Sequence, residues 1–269
     1  MGTTHRPTVG GDRLRRLGID TGAEHVVYLH HASPICRSEG FDAHARVQLQ
    51  VGERQLLATL AIVHGELLAP DEAGLSESAW STLQPQPDEH VVIAHPASVE
   101  SLANVRAKIY GHTLDDAQLH GIVRDIVDHR YSHLELAAFI TACSGDHLGT
   151  GEVIALTRAM VDTGTRLRWP AAVVVDKHCI GGLPGNRTTP IVVAIVTALA
   201  LVMPKTSSRA ITSPAGTADT MAMLAPVELD LAQMRRAVDR CGGCIVWGGA
   251  MHLAPADEVL IRVERALEV

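Results

Sequence analysis

Lysine is nearly absent from this chain: three of its 23 basic residues are lysine and the other 20 are arginine. Acidic residues number 30, giving a formal charge of -7 at pH 7. A general nucleic-acid binder needs a positive surface to displace counterions from phosphates, so this balance argues for no nucleic-acid partner. No run of 18 or more apolar residues is present, which excludes a plain membrane-spanning helix and leaves no membrane partner expected. The opening MGTTHRPTVGG lacks the apolar stretch of a signal peptide and the arginine-rich pattern of a transit peptide. The expected location is therefore cytoplasmic. Cys36, Cys143, Cys179, Cys241 and Cys244 are scattered and odd in number, so they read as free thiols in a reducing compartment. Fifteen histidines occur without HExxH or comparable ligand spacing, and no metal is expected.

What is present is 46% hydrophobic content over 269 residues, enough to fill a core without disulfides or a structural metal. Short alternating stretches at 25–30 and 45–51 and the apolar segment 56–63 predict a small β-rich domain over residues 1–90. Residues 83–90, with Pro85 and Pro87 and no apolar periodicity, read as a linker. Beyond Pro96 the period becomes three and four. Caps are expected at Ser98, at Asp115 or Asp116, at Ser132 with Glu135 in a capping box, and at Thr150, defining a helical domain over 91–168. Residues 171–175 predict a buried parallel strand. A helix capped by Thr188 or Thr189 and apolar nearly all round over 191–201 should follow it. A polar stretch over 205–218, a helix near 231–240, a strand at 244–247 and a last helix from Asp257 complete a partial α/β domain over 169–269. The fold class expected is α/β and α+β multidomain.

Two clusters carry chemistry. The first is Asp176-Lys177-His178-Cys179-Ile180-Gly181-Gly182-Leu183-Pro184-Gly185-Asn186-Arg187-Thr188-Thr189, between a predicted strand and a predicted helix. Loops at the carboxyl ends of parallel strands, followed by a helix N-terminus, can hold an anion through backbone N–H groups. Lys177 adds a full charge and the threonines add hydroxyls, so the expected ligand is a phosphate; a purely structural glycine turn is the alternative. The pattern is neither GxGxxG nor GxxxxGK[ST]. The second cluster, Lys205-Thr206-Ser207-Ser208-Arg209-Ala210-Ile211-Thr212-Ser213-Pro214-Ala215-Gly216-Thr217-Ala218-Asp219, again mixes cations, hydroxyls and glycine. Two of the three lysines fall in these clusters. The Cys241-x-x-Cys244 pair reads as a structural turn into a strand or, with less support from its surroundings, as a redox or metal pair.

Asp176 to Gly182, Ser207-Ser208-Arg209 with Gly216-Thr217-Ala218-Asp219, and Leu253-Ala254-Pro255-Ala256-Asp257 resemble the signature segments of the thymidine phosphorylase family. Pro184-Gly185-Asn186 and the string from Ser208 to Asp219 are most similar to its second branch, that of AMP phosphorylases and bacterial putative thymidine phosphorylases. The resemblance implies a fold of the nucleoside phosphorylase type and a pentosyltransferase that cleaves thymidine with phosphate to thymine and 2-deoxyribose 1-phosphate. Inorganic phosphate is the implied co-substrate and no cofactor is implied. The second-branch motifs imply instead a nucleoside 5′-monophosphate as substrate. By the same resemblance Lys177, Cys179, Thr189, Ser207 and Thr217 hold the phosphate. Gly182, Ser208, Arg209, Ala210, Ile211, Thr212, Ser213 and Thr217 contact the nucleoside or nucleotide, and Lys177, His178 and Arg209 are the catalytic candidates. His178 touches the ligand or merely orders its loop. Asp176 and Asp219 are expected to position Lys177, Arg209 or backbone donors rather than act as acids.

Cys179 departs from the family's usual serine, and a thiol is a weaker donor, so weaker phosphate affinity is expected. Family members run much longer, and Val269 falls directly before the segment that supplies an acid and part of the base pocket in AMP phosphorylases. A chain of this length is then expected to hold the phosphate side of a site, with a truncated, non-catalytic phosphate or nucleotide binder as an alternative. Anthranilate phosphoribosyltransferase shares the arrangement, but its diphosphate and metal motifs are not found. A homodimer through the helical block is implied by the family's habit.

Overall fold

The computed structural model describes residues 11–22, 24–178, 185, 187–210, 215–251 and 253–267. The chain divides into two compact units, 1–99 and 100–269.

The first unit is a closed six-stranded barrel in the order β1-β5-β2-β4-β3-β6. Its strands are β1 (Asp12–Arg16), β2 (Val26–His30), β3 (Arg46–Val51), β4 (Arg54–Val63), β5 (Glu72–Leu75) and β6 (His90–Ala94). Two short helices, α1 (Pro34–Glu39) and α2 (Glu77–Leu83), connect them. Alternation sets the pleat: Val47, Leu49 and Val51 are fully buried, while Gln48 on the other face bonds Gln55 at 2.7 Å. Pairing of β1 with β6 closes the barrel and removes an open edge.

Residues 83–90 are not a linker. Leu83 is 1% exposed in the barrel core, and the Arg54 guanidinium donates to the carbonyls of Leu83 and Gln84 at 2.7 and 2.6 Å and pairs with Glu89. Val91 and Ile93 are core residues of β6, so the barrel extends past residue 90 and the boundary lies at 99/100. The two prolines stiffen a turn inside the unit rather than a connection between units.

The second unit begins with four helices: α3 (Leu102–Ile109), α4 (Asp116–Val127), α5 (His133–Cys143) and α6 (Thr150–Asp162). Asp115 with Gln118 and Ser132 with Glu135 form the reciprocal caps of α4 and α5. Ser101, not Ser98, precedes α3, and its hydroxyl bonds Asp125 instead of the helix backbone. Gly149, not Thr150, caps α6, where the Glu152 carboxylate takes the Gly149 N–H at 3.0 Å. Lys108 and Glu152, at 5% and 3% exposure, form a buried ion pair of 2.7 Å between α3 and α6.

The remainder holds α7 (Thr188–Ala198), β7 (Met203–Ser207), α8 (Thr217–Ala222), α9 (Leu231–Cys241), β8 (Gly243–Trp247) and α10 (Pro255–Leu267). β7 and β8 pair in parallel, and α7, α8 and α9 pack on them. The strand expected at 171–175 is reduced to one parallel bridge, Val174 to Val202. Val173 and Val174 are exposed, so no sheet face buries them among the described residues. Likewise α7 is apolar all round but packs one face: Val193 is buried, whereas Ile191, Ile195 and Leu199 are exposed. Arg187 occupies its cap position, with Thr188 as the first helical residue. The polar stretch 205–218 is not all loop, since it ends β7 and begins α8. α10 starts at Pro255 rather than Asp257 and packs against α4, α5 and α6, so the helical layer is not contiguous in sequence.

Candidate functional site

The register of the parallel segments brings the two clusters together. Three residues beyond Val202 lies Lys205, and two beyond Val174 lies Asp176, so both sit on the carboxyl side of the bridge. Lys205 alternates with Met203 on the buried face of β7, at 6% exposure, and its ammonium reaches Asp176 Oδ1 at 3.2 Å. The other carboxylate oxygen accepts the Nδ1–H of His178 at 3.0 Å. Burial alone would raise the Asp176 carboxyl, but the Lys177 backbone N–H, the Lys205 ammonium and His178 outweigh it and hold the group below its ordinary value. Asp176 is thus an ionised anchor. It takes the Lys177 backbone N–H, as expected of a group that positions backbone donors, and its side-chain partners are Lys205 and His178.

Lys177 donates to the Thr189 hydroxyl at 3.1 Å, and Thr189 is 1% exposed in the first turn of α7. His178 is open to solvent, with its side chain 86% exposed. Its Nδ1–H is committed to Asp176.

The second cluster is organised by Asp219. Its carboxylate accepts the N–H groups of Ala210 and Gly216 at 2.8 and 2.9 Å and the Arg209 Nη1 at 3.0 Å. Against burial, those two N–H groups and Arg209 keep its carboxyl below the ordinary range. Gly216 is required by close approach: a Cβ there would lie 2.7 Å from the Arg209 carbonyl carbon and 2.8 Å from the Ala210 nitrogen. Arg209 also donates through Nη2 to Glu228 at 2.6 Å, and its guanidinium lies 5.0 Å from the Trp247 ring centroid. Glu228 and Asp219 together raise the Arg209 guanidinium above its ordinary value. Ser207 is opposite Trp247 at the carboxyl ends of β7 and β8. Thr217 is buried at the start of α8, and the Ser208 carbonyl accepts the Ala218 N–H at 3.3 Å. Arg265 of α10 bonds the Ala210 carbonyl.

Lys177 is thus bonded to Thr189, His178 and Lys205 to Asp176, and Arg209 and Ala210 to Asp219, while Ser207 ends β7 and Thr217 begins α8. Cys179, Gly182, Ile211, Thr212 and Ser213 lie outside the described residues. Sequence reading passed over Trp247 and Glu228, whose proximity to Arg209 is long-range. Only the rarity of lysine pointed to Lys205. Cys241 ends α9, Gly242 turns the chain at φ 72°, and Cys244 is half-buried in β8 with its thiol pushed up to about 11 by burial. This is the structural turn. Among the described residues, no three His, Cys, Asp or Glu side chains are grouped to hold a metal ion.

The helical bundle domain of a glycosyl transferase family matches residues 104–164, spanning nearly all of α3 to α6. A protein named putative thymidine phosphorylase from Polaromonas sp. is 59% identical over 96% of this chain and 50% of its own length. Putative thymidine phosphorylase 2 of Acidovorax sp. is 58% identical over 98% of this chain and 52% of its own. Over nearly its whole length the chain is similar to these proteins named putative thymidine phosphorylase. A Legionella pneumophila protein of the same name shares 51% identity over 98% of the chain. The chain spans about half the length of the curated relatives it matches. Anthranilate phosphoribosyltransferase of Thermus thermophilus overlaps 61% of this chain and 50% of its own, with 23% identity and a TM-score of 0.48. Among the described residues no helix is long and apolar enough to cross a membrane.

Proposed function

We propose that the protein is a pentosyltransferase of the thymidine phosphorylase type and that the joined clusters form its phosphate side. The observation that carries this reading is the Asp176–Lys205 pair of 3.2 Å, which ties the Lys177 loop to the strand leading into Ser207 and Arg209. Cations, hydroxyls and backbone donors then converge at the carboxyl ends of parallel strands, where α/β sheets place ligands. In phosphorolysis an oxygen of inorganic phosphate bonds to C1′ of thymidine while the C1′–N1 bond breaks. The bond's electron pair leaves with the base, which takes up a proton, giving thymine and 2-deoxyribose 1-phosphate.

Each group has a part. Lys177, held by Thr189, and Ser207 and Thr217 supply charge and hydroxyls to the attacking phosphate. Asp176 fixes the ring of His178. Arg209 and Ser208 address the nucleoside. Cys179 and the segment 211–213 complete the set as the resemblance assigns them. The proposal includes a homodimer through the helical layer; a monomeric mass at micromolar concentration contradicts that part.

The test is incubation of the protein with thymidine and phosphate and measurement of free thymine, paired with calorimetry. Phosphate-dependent thymine release supports the reading. Phosphate and thymidine binding without release favours a non-catalytic binder, and neither binding nor release rejects the site.

A further inference from the structure

The charges around Arg209 bear on which substrate the site accepts, an inference that rests on the nucleoside reading above. A guanidinium that grips a phosphate presents its fork of N–H donors to the incoming oxygens. Here Nη1 is bonded to Asp219 and Nη2 to Glu228, and the ring face of Trp247 lies 5.0 Å from the guanidinium carbon. One cation with two carboxylates leaves this trio with a net negative charge. The three are not equally exposed: the Glu228 side chain is 61% exposed, against 36% for Arg209 and 28% for Asp219. Asp219 is also tied to two backbone N–H groups, so its place is fixed by the loop. Glu228 is held by Arg209 alone among its described side-chain bonds, and it is the more exposed of the two carboxylates.

We propose that Glu228 is a specificity-determining residue that screens Arg209 and disfavours a substrate carrying a 5′-phosphate, so that the site takes an uncharged pyrimidine nucleoside. A phosphate dianion reaching Arg209 would have to displace Glu228 or lie beside it, and either route carries an electrostatic penalty. An uncharged nucleoside needs only hydrogen bonds and can stack or pack beside Arg209 with Glu228 in place. Removing the charge while keeping the shape should therefore change the relative affinity for the two ligands. Exposed like-charge contacts are weak, and a dianion counts twice, so the expected change is on the order of fivefold to tenfold.

The experiment is calorimetric titration of the wild type, Glu228→Gln and Glu228→Asp with thymidine and with thymidine 5′-monophosphate, at low and high salt. The ratio of the monophosphate Kd to the thymidine Kd should fall by about fivefold to tenfold in Glu228→Gln. Glu228→Asp should stay near the wild-type ratio, and high salt should shrink the difference between wild type and Glu228→Gln. An unchanged ratio, with both ligands bound, overturns the screening role and leaves the nucleoside reading standing. Failure of the wild type to bind either ligand overturns that reading and the inference with it. Because Glu228 is exposed, a thermal melt matching the wild type separates these outcomes from misfolding.

Discussion

Replacing Lys108 by methionine should destabilise the second unit severely, and the loss should fade in acid. Lys108 and Glu152 are 5% and 3% exposed, and they meet at 2.7 Å. The Lys108 ammonium also donates to the His147 carbonyl at 2.6 Å. Without it, Glu152 keeps the N–H groups of Leu114 and Gly149, each at 3.0 Å, but has no counter-charge. Removing one partner of a buried pair leaves an uncompensated charge and costs about 3–5 kcal/mol. The pH dependence follows from Glu152. In the wild type burial raises its carboxyl, yet Leu114, Lys108 and Gly149 together hold it below the ordinary 4.5. A depressed folded value gives a contribution fully present above 4.5 and lost as pH falls through the folded value. In Lys108→Met the lowering by Lys108 is gone while the raising by burial remains, so the folded value moves upward and acid relieves the unpaired charge sooner. Urea unfolding of both proteins from neutral to mildly acidic pH measures the difference. A neutral-pH loss below about 1 kcal/mol, or a gap that does not narrow in acid, would refute the reasoning.

Three further outcomes are expected. Gly216→Ala must push the backbone at 208–210 aside, because its Cβ would lie 2.7 Å from Arg209 carbon. A stability loss of about 1–3 kcal/mol with weakened thymidine binding is expected in unfolding and calorimetry, and unaltered values would contradict the close approach. Exposed Cys241 should be alkylated at mildly alkaline pH while Cys244, pushed up to about 11, stays unmodified by peptide mapping; equal labelling would contradict its burial. The His120 imidazole is raised by bonds to Asp162 and the Asp116 carbonyl, so its stabilising contribution is full below 6.5 and is lost as pH rises through the folded value. An NMR titration of His120 should show that raised midpoint, and Asp162→Asn should lower it.

The parts of the fold legible in the sequence are those built from near neighbours. Asp115 with Gln118 and Ser132 with Glu135 are three residues apart, and the alternation in β3 and β4 is local, so short patterns reveal them. β6 was hidden by Pro85 and Pro87, which made its approach look like a linker. β7 was hidden by Pro204 and Lys205, since a buried lysine in a strand reads as a polar loop until Asp176 is seen beside it. The strand expected at 171–175 had the right residue types, but only Val174 pairs among the described residues. At the site, residue types gave the clusters; the contacts that join them span tens of positions. Glu228 and Trp247 carry no motif, and only the fold places them against Arg209.

The claim that the two clusters form one phosphate site is tested most directly by phosphate affinity. Calorimetry of the wild type, Lys177→Met, Ser207→Ala and the double variant, each checked for folding, gives the Kd for inorganic phosphate. Phosphate should bind the wild type, and Lys177→Met should weaken binding by about tenfold, equivalent to about 1.4 kcal/mol. Ser207→Ala should weaken it by a smaller factor, and the two effects should depart from additivity because both groups face one ligand. A wild type that does not bind phosphate, or a Ser207→Ala protein that binds it as the wild type does, would contradict a single site.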